Sequence, residues 1–225
     1  MAAVSITTTI LFILTTFLTL WFFHKAGKNK GVLLGLLIWM IITGLLGIFG
    51  FYSVENAMPP RFIFLLGPGM LFVVFLLITK KGRSFVDMLD LKWLTLLHVV
   101  RVPVEIVLYY IFLEGLVPEL MTFEGWNYDI ISGLSAPIIF YLVFVQKWIG
   151  RNALLLWNFI CLGLLLNILT IAVLSAQTPF QQLAFEQPNI GVAYFPFVWL
   201  PTLVVPLVLV SHLASIRQLL HRKTI

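Results

Sequence analysis

The chain has 225 residues, of which 61% are hydrophobic and 10% are charged, and its mean hydropathy is +1.06. Soluble domains carry about 25% charged residues, so this composition excludes an ordinary soluble domain and indicates a protein that uses lipid as its solvent. The net charge of +5 does not indicate a nucleic-acid partner, because the basic residues lie in short turns rather than along one surface.

Seven apolar segments are long enough to cross a bilayer core of about 30 Å, which takes about 20 residues in a helix. The first is not read as a signal peptide, because no Lys or Arg precedes it. The predicted fold is therefore all-α, one polytopic domain over residues 1–225. Its transmembrane helices are expected at about 4–23, 31–52, 62–79, 94–116, 130–147, 152–175 and 191–214.

The positive-inside rule predicts an outside N-terminus and a cytoplasmic C-terminus. Arg61 is then the basic residue of an outer turn, and Arg101 lies within a helix. The other twelve of the 14 basic residues fall in inner turns or the tail: Lys25, Lys28, Lys30, Lys80, Lys81, Arg83, Lys92, Lys147, Arg151, Arg217, Arg222 and Lys223.

Residues 84–93, between the third and fourth segments, are amphipathic. Ser84 with Asp87 three positions later has the spacing of a capping box. Two interpretations are open: an interfacial helix on the inner headgroup layer, or the beginning of the fourth transmembrane helix.

The fourth segment, "LLHVVRVPVEIVLYYIFLEG" at 96–115, carries a polar stripe. His98, Arg101, Glu105 and Tyr109 share one helix face within about 80°. Arg101 and Glu105 have the i, i+4 spacing of an ion pair, and Glu105 lies about 16 Å from the inner edge, near the midplane. Each such charge costs about 2.5–3.5 kcal/mol in a membrane. We therefore expect the stripe to face other helices or a hydrated cavity rather than lipid.

Two further residues reach a matching depth on other helices: Asn158 on the sixth and His212 on the seventh. With the stripe they complete the expected ligand or proton site. Intramembrane ionisable residues favour a functional site, but a buried Arg101–Glu105 pair that only fixes helix register stays open.

Three classes of function fit such a site. The first is a small-solute or proton-linked transporter or a ligand-binding sensor, with Glu105 accepting the proton and Arg101 holding an anionic group or balancing Glu105. The second is a membrane enzyme or redox subunit acting on a lipid or quinone, with His98 and Glu105 as acid–base groups. The third is a structural membrane scaffold.

No cofactor or metal is predicted. The histidines and Cys161 lack the spacing of a metal site, and retinal has no mid-helix lysine to bind. A haem ligated by His98 and His212 is the weaker alternative to separately hydrogen-bonded histidines. We expect the outer acidic residues to form a solvated face: Glu119, Glu124 and Asp129.

Three long runs carry a family resemblance: "LTLLHVVRVPVEIVLYYIFLEGLVPELMTFEGWNYDIISGLSAPIIFYL", "WNFICLGLLLNI" and "TPFQQLAFEQPNIGVAYFPFVWLP". They resemble an uncharacterised family of bacterial seven-helix integral membrane proteins, and the similarity spans most of the chain. The resemblance implies a multi-pass protein of the bacterial cytoplasmic membrane. The resemblance implies no activity, ligand or cofactor. The composition and the polar site, rather than the family, lead us to expect membrane lipids and a small-molecule ligand as partners.

Overall fold

The computed structural model describes residues 4–54 and 59–221. Within these ranges the chain is all-α, as predicted, and its regular elements are α-helices with short 3₁₀ and π-helical segments. The α-helices are α1 Ile6–Gly27, α2 Lys30–Ile48, α3 Ile63–Ile78, α4 Lys80–Met88, α5 Leu91–Leu97, α6 Arg101–Leu113, α7 Ile130–Phe140, α8 Arg151–Leu174 and α9 Val205–His221.

Five helical stretches of the described chain are long and apolar enough to cross a membrane, and a sixth results if α3 and α4 count as one bent span. The five stretches are Ile6–Gly27, Lys30–Ile48, Leu91–Leu113, Arg151–Leu174 and Leu200–His221. A shorter apolar helix covers Ile130–Val145, where α7 continues into a π-helical turn, Tyr141–Val145.

The last helix begins later than its apolar segment suggests. The expected span 191–214 opens with a 3₁₀ turn and a loop, and regular helix begins only at Leu200. Pro196 and Pro201 explain the late start, because neither has an N–H to donate and Pro201 fits only the first turn of a helix. The helix then runs to His221, seven residues beyond the expected end.

The region 84–93 contains a short amphipathic helix and the beginning of the next one. α3 and α4 meet at 89°, because Thr79 between them has extended backbone and caps α4: its Oγ1 accepts a hydrogen bond from Gly82 N, 3.0 Å away. Ser84 lies inside α4, so the capping box predicted there is wrong. Leu89 is extended, and Asp90 caps α5 by accepting from Lys92 N at 2.8 Å.

α9 lies at the centre of the bundle, since 78% of its span is buried, against 39% for α1 and 22% for α2. α1 packs against α5 and α6, and α8 packs along α9. α2 has the least buried span of the five and lies at the edge of the bundle. The polar residues of α5, α6, α8 and α9 therefore meet in the interior.

The two ends of the bundle differ in charge. At the basic end, Asp90 N donates to Ala26 O at 3.0 Å, Arg217 pairs with Asp87 at 2.8 Å, and Arg151 Nε donates to the Leu219 carbonyl. This end carries ten described basic residues: Lys25, Lys28, Lys30, Lys80, Lys81, Arg83, Lys92, Lys147, Arg151 and Arg217. Arg222 and Lys223 lie outside the described residues.

The opposite end is acidic. Glu114 Oε1 accepts a hydrogen bond from Ser5 N at 3.0 Å, which joins the start of α1 to the end of α6. Glu119, Glu124 and Glu186 are exposed in the loops of the same end. We call it the acidic end.

Candidate functional site

The candidate site starts where the helical geometry is interrupted between α5 and α6. α5 and α6 are joined by a 3₁₀ turn, His98–Val100, and Pro103 follows in the first turn of α6. Because the proline ring has no N–H and clashes with the carbonyl four residues back, it disfavours a regular α-helix over Val99. The tighter turn directs His98 toward α8 and α9.

His98 and His212 stack in the interior. Their ring centroids are 3.9 Å apart with 17° between the planes, and neither side chain is exposed. Trp157 of α8 meets His98 edge-on at 5.4 Å. The sequence places His98 and His212 at a similar depth, and the structure brings them into direct contact.

The hydrogen bonds of Asn158 set the tautomer of His212. Asn158 Nδ2 donates to the Leu154 carbonyl at 2.9 Å, so its Oδ1 faces His212 Nδ1, 2.9 Å away. An amide oxygen only accepts, so Nδ1 must carry the proton, and Nε2 of the neutral ring keeps its lone pair. Nε2, like both ring nitrogens of His98, has no hydrogen-bond partner among the described residues.

Arg101 forms its ion pair with Asp129 rather than with Glu105. Its Nη1 lies 2.7 Å from Asp129 Oδ1, and both side chains are buried. The same nitrogen donates to the Cys161 carbonyl at 3.3 Å, and Ser132 Oγ donates to Asp129 Oδ1 at 3.2 Å. The pair thus joins α6 to the start of α7, and the i, i+4 pairing expected within one helix is replaced by a contact between helices.

Glu105 is held by an amide instead of a cation. Asn127 Nδ2 donates to Glu105 Oε2 at 2.6 Å and to the Met121 carbonyl at 2.9 Å. Asn127 Oδ1 accepts from Asp129 N at 3.0 Å. The Asn127 side chain therefore connects the carboxylate of Glu105 to the backbone of Asp129.

Glu105 and Asp129 line one small cavity. They are 2% and 4% exposed and border a space of about 70 Å³. Its other walls are apolar residues, most of them from α3, α6, α8 and the segment before α9, together with the polar residue Asn189. A buried water occupies about 10–15 Å³ of such space, so the cavity is large enough for several waters or one small solute. Arg101 does not line the cavity.

Tyr109 does not belong to this cluster. Its ring stacks on Phe123 at 5.0 Å, toward the acidic end, and it is only partly buried. It lies one helical turn beyond Glu105 in the last half of α6, beside Phe123 of the loop that follows the helix. The expectation that it completes the polar site is therefore not met by the geometry.

Sequence reasoning missed two members of the cluster, Asn127 and Asp129. Asp129 was expected in a solvated acidic face with Glu119 and Glu124. That prediction is wrong for Asp129, which is buried, and the other two are exposed. The sequence did contain a signal for the burial of Asp129. This residue directly precedes α7, an apolar helix without an acidic residue, so its side chain lies where the chain enters the bundle.

The two histidines of the haem alternative are in direct contact with each other. The rings of His98 and His212 stack face to face, which leaves no space for a porphyrin between them. No group of three or more His, Cys, Asp or Glu side chains in the described part of the chain has the geometry of a metal site.

Comparison with known proteins identifies a family. A family model described as a domain of unknown function, DUF8737, matches residues 58–220. Neither a curated protein nor a solved structure matches the chain. The match covers more than half of the chain and includes the whole buried cluster from His98 to His212, so the chain belongs to the DUF8737 family.

Proposed function

We propose that this protein is a multi-pass protein of the bacterial cytoplasmic membrane. It has seven spans, with the N-terminus outside and the C-terminus inside. The five long apolar helices, the bent α3–α4 pair and Ile130–Val145 supply seven crossings. Large apolar side chains on the outer faces, such as Ile6 at 78%, Leu71 at 70% and Ile78 at 68% exposed, support lipid contact, since water disfavours them. The gathering of basic residues at one end supports the orientation.

Within that membrane protein, we infer a proton-linked transporter of small solutes with Glu105 as the proton carrier. One observation carries this inference: Glu105 and Asp129 are both buried, but within residues 4–54 and 59–221 Arg101 forms an ion pair only with Asp129. One guanidinium balances one carboxylate. A second buried carboxylate without a cation is so costly that a proton or a cation must accompany it.

The position of Glu105 supports an exchangeable proton. Glu105 lines the 70 Å³ cavity, so a water or a small solute held there would lie beside its side chain. Asp129 lines the same cavity, and a bound cationic or proton-donating group would compete with the proton on Glu105. Such competition is the physical basis of coupling between a solute and a proton.

A line of buried polar side chains continues from the carboxylates to the basic end. Beyond the His98–His212 stack, α9 carries Ser215 and Gln218, each 1% exposed, at successive three-residue steps from His212. Three-residue spacing keeps them on one face of the helix. These side chains form no unbroken hydrogen-bond chain among the described residues, since both nitrogens of His98, Nε2 of His212 and Ser215 Oγ have no partner there. They extend the polar interior from the histidine stack toward the basic end, and bound water would have to bridge them for a proton to pass.

Infrared spectroscopy of the purified protein tests the protonation of Glu105. The wild-type protein is expected to show the C=O stretching band of a protonated carboxyl at neutral pH, and Glu105→Gln should abolish it. Glu186→Gln is the matched control, since Glu186 is exposed and should contribute no such band. If the band is absent from the wild type, or persists in Glu105→Gln, the proposed proton carrier is wrong.

Transport itself is tested on solid-supported membranes. Proteoliposomes receive sudden additions of small carboxylates, amino acids, amines or sugars at several pH values. A solute-dependent current that varies with pH in the wild type and in Glu186→Gln, and that is lost in Glu105→Gln, is the expected result. A current that is identical in Glu105→Gln at every pH would contradict the coupling.

A further inference from the structure

α2 closely approaches the segment before α9 at only one half of its length. Near the acidic end, a Cβ added to Gly47 would lie 2.8 Å from Val198 Cγ1, and one added to Gly44 would lie 3.2 Å from the Trp199 ring. A Cβ added to Gly35, near the basic end, would meet no atom within 4 Å. On the side of Gly35, α2 therefore diverges from α3 and α9.

The divergence opens a groove between α2, α3 and the beginning of α9. Its volume is about 630 Å³, and its walls are almost entirely apolar. The α3 wall extends from Pro68 to Leu76, which is about 12 Å at 1.5 Å per residue. Half of a 30 Å bilayer core is about 15 Å, so the groove has the length of one leaflet.

The charged residue that borders the groove is a cation, and the hydroxyl of Thr202, another lining residue, already donates to the Val198 carbonyl at 2.7 Å. Lys81 lies at the basic end of the groove, and Lys80 and Arg83 are exposed beside it on α4. The indole N–H of Trp39, a wall residue, is already used, since it donates to the Thr202 carbonyl at 3.0 Å. The groove thus offers an apolar channel that ends in a positive charge.

We propose that this groove binds an anionic glycerophospholipid, with one acyl chain between α2 and α3 and the phosphate beside Lys81. The inference depends on the proposed membrane location but not on the proposed proton coupling. Phe75 on the α3 wall is 54% exposed, so the groove is open from the side, as entry from a leaflet requires. Basic pockets between membrane helices on the cytoplasmic side are typical sites for anionic headgroups.

A bound lipid would touch the segment that also walls the solute cavity. Thr202 and Leu203 of the π-helical turn Leu200–Val204 line the groove, whereas Leu200 and Pro201 of the same turn line the cavity beside Glu105. An acyl chain in the groove would therefore contact one side of the turn whose other side lines the cavity beside Glu105.

Native mass spectrometry of the delipidated full-length protein tests the proposal. Phosphatidylglycerol and phosphatidylcholine with identical acyl chains are added in turn. A single lysine near a headgroup contributes about a fivefold preference for the anionic lipid. The wild type should show this preference, Lys81→Gln should lose it, and Lys80→Gln, its exposed neighbour outside the groove, should keep it.

A second pair of variants tests the acyl-chain site. Gly35→Phe fills the groove from a position with open space, and Gly163→Phe is matched to it, because Gly163 also has no atom within 4 Å but lies on α8 away from the groove. Gly35→Phe should lose most binding of both lipids, and Gly163→Phe should not. Equal binding by these two variants, or an equal headgroup preference in Lys81→Gln and Lys80→Gln, would overturn the proposal. The infrared band of Glu105 is independent of either result.

Discussion

The imidazole of His212 is held by a hydrogen bond, whereas that of His98, stacked on it at 3.9 Å, makes only ring contacts in the part of the chain that the structure describes. His212 donates through Nδ1 to Asn158, and His98 contacts Trp157 and His212 by its faces and edges. Two cationic rings at this separation would repel strongly in a buried environment. At most one of the two histidines can therefore be charged at a time.

Because only His212 makes a hydrogen bond, the same substitution to Phe is expected to destabilise the protein more at His212 than at His98. His98→Phe keeps the aromatic stack and removes two buried nitrogens that have no partner, so we expect the free energy of unfolding to change by less than about 1 kcal/mol. His212→Phe leaves Asn158 Oδ1 buried without a donor, which should cost about 1–3 kcal/mol. Unfolding titrations with sodium dodecyl sulfate in mixed micelles measure both. Equal destabilisation by the two variants would contradict the assignment.

Arg101 should couple energetically to Asp129 and not to Glu105. Asp129→Asn leaves a buried guanidinium unbalanced, and breaking such a pair costs about 3–5 kcal/mol. Arg101→Met together with Asp129→Leu removes both charges and should recover most of that loss.

The control for this prediction is the other carboxylate. Arg101→Met with Glu105→Leu leaves Asp129 buried without its cation and should stay destabilised. Double-mutant cycles for both pairs, from the same unfolding titrations, give the two coupling energies. A larger coupling for Arg101–Glu105 than for Arg101–Asp129 would show that the pairing within the helix is the correct one.

The corner between α3 and α4 depends on Thr79. Its hydroxyl accepts from Gly82 N and also donates to the Phe75 carbonyl at 2.9 Å. Thr79→Ala should therefore cost about 1 kcal/mol, the usual effect of losing an N-cap. Ser84→Ala in the exposed middle of α4 should be neutral or slightly stabilising, because alanine has the higher helix propensity. If Ser84→Ala were the more damaging change, the helix would begin where the sequence motif suggests.

The depth of each residue along its predicted membrane helix, together with the helix face it occupies, was enough to anticipate that four polar residues approach one another: His98, Arg101, Asn158 and His212. Each lies in a long apolar helix whose position along the bundle follows from residue count. Ion pairing could not be anticipated in the same way. Arg101 reaches a carboxylate 28 positions away, and only the packing of α6 against α7 decides that this partner is preferred to the one four residues along.

The corner at Thr79 shows a related limit. Ser84 and Asp87 match the capping-box pattern, whereas Thr79 is followed three positions later by Gly82 and does not. Thr79 is nevertheless the residue that caps α4, since the backbone turns there and α4 packs beside α9. Local motifs identify residues that are able to cap. Tertiary packing selects which of them does.

The shortest proposed span, Ile130–Val145, gives the sharpest test of the topology. Sixteen residues rise about 24 Å, less than the 30 Å of an average bilayer core, and a helix this short crosses only if the bilayer thins or flanking residues extend to the interface.

Glu124→Cys and Gly150→Cys place reporters on either side of this segment, and Gly150 has no atom within 4 Å of an added Cβ. Native Cys161 is buried and should stay unlabelled by a membrane-impermeant maleimide. We expect Glu124→Cys to react on intact cells and Gly150→Cys to react only after lysis. Reaction of both variants on intact cells would mean that this segment does not cross the membrane, and the reverse pattern would invert the proposed orientation.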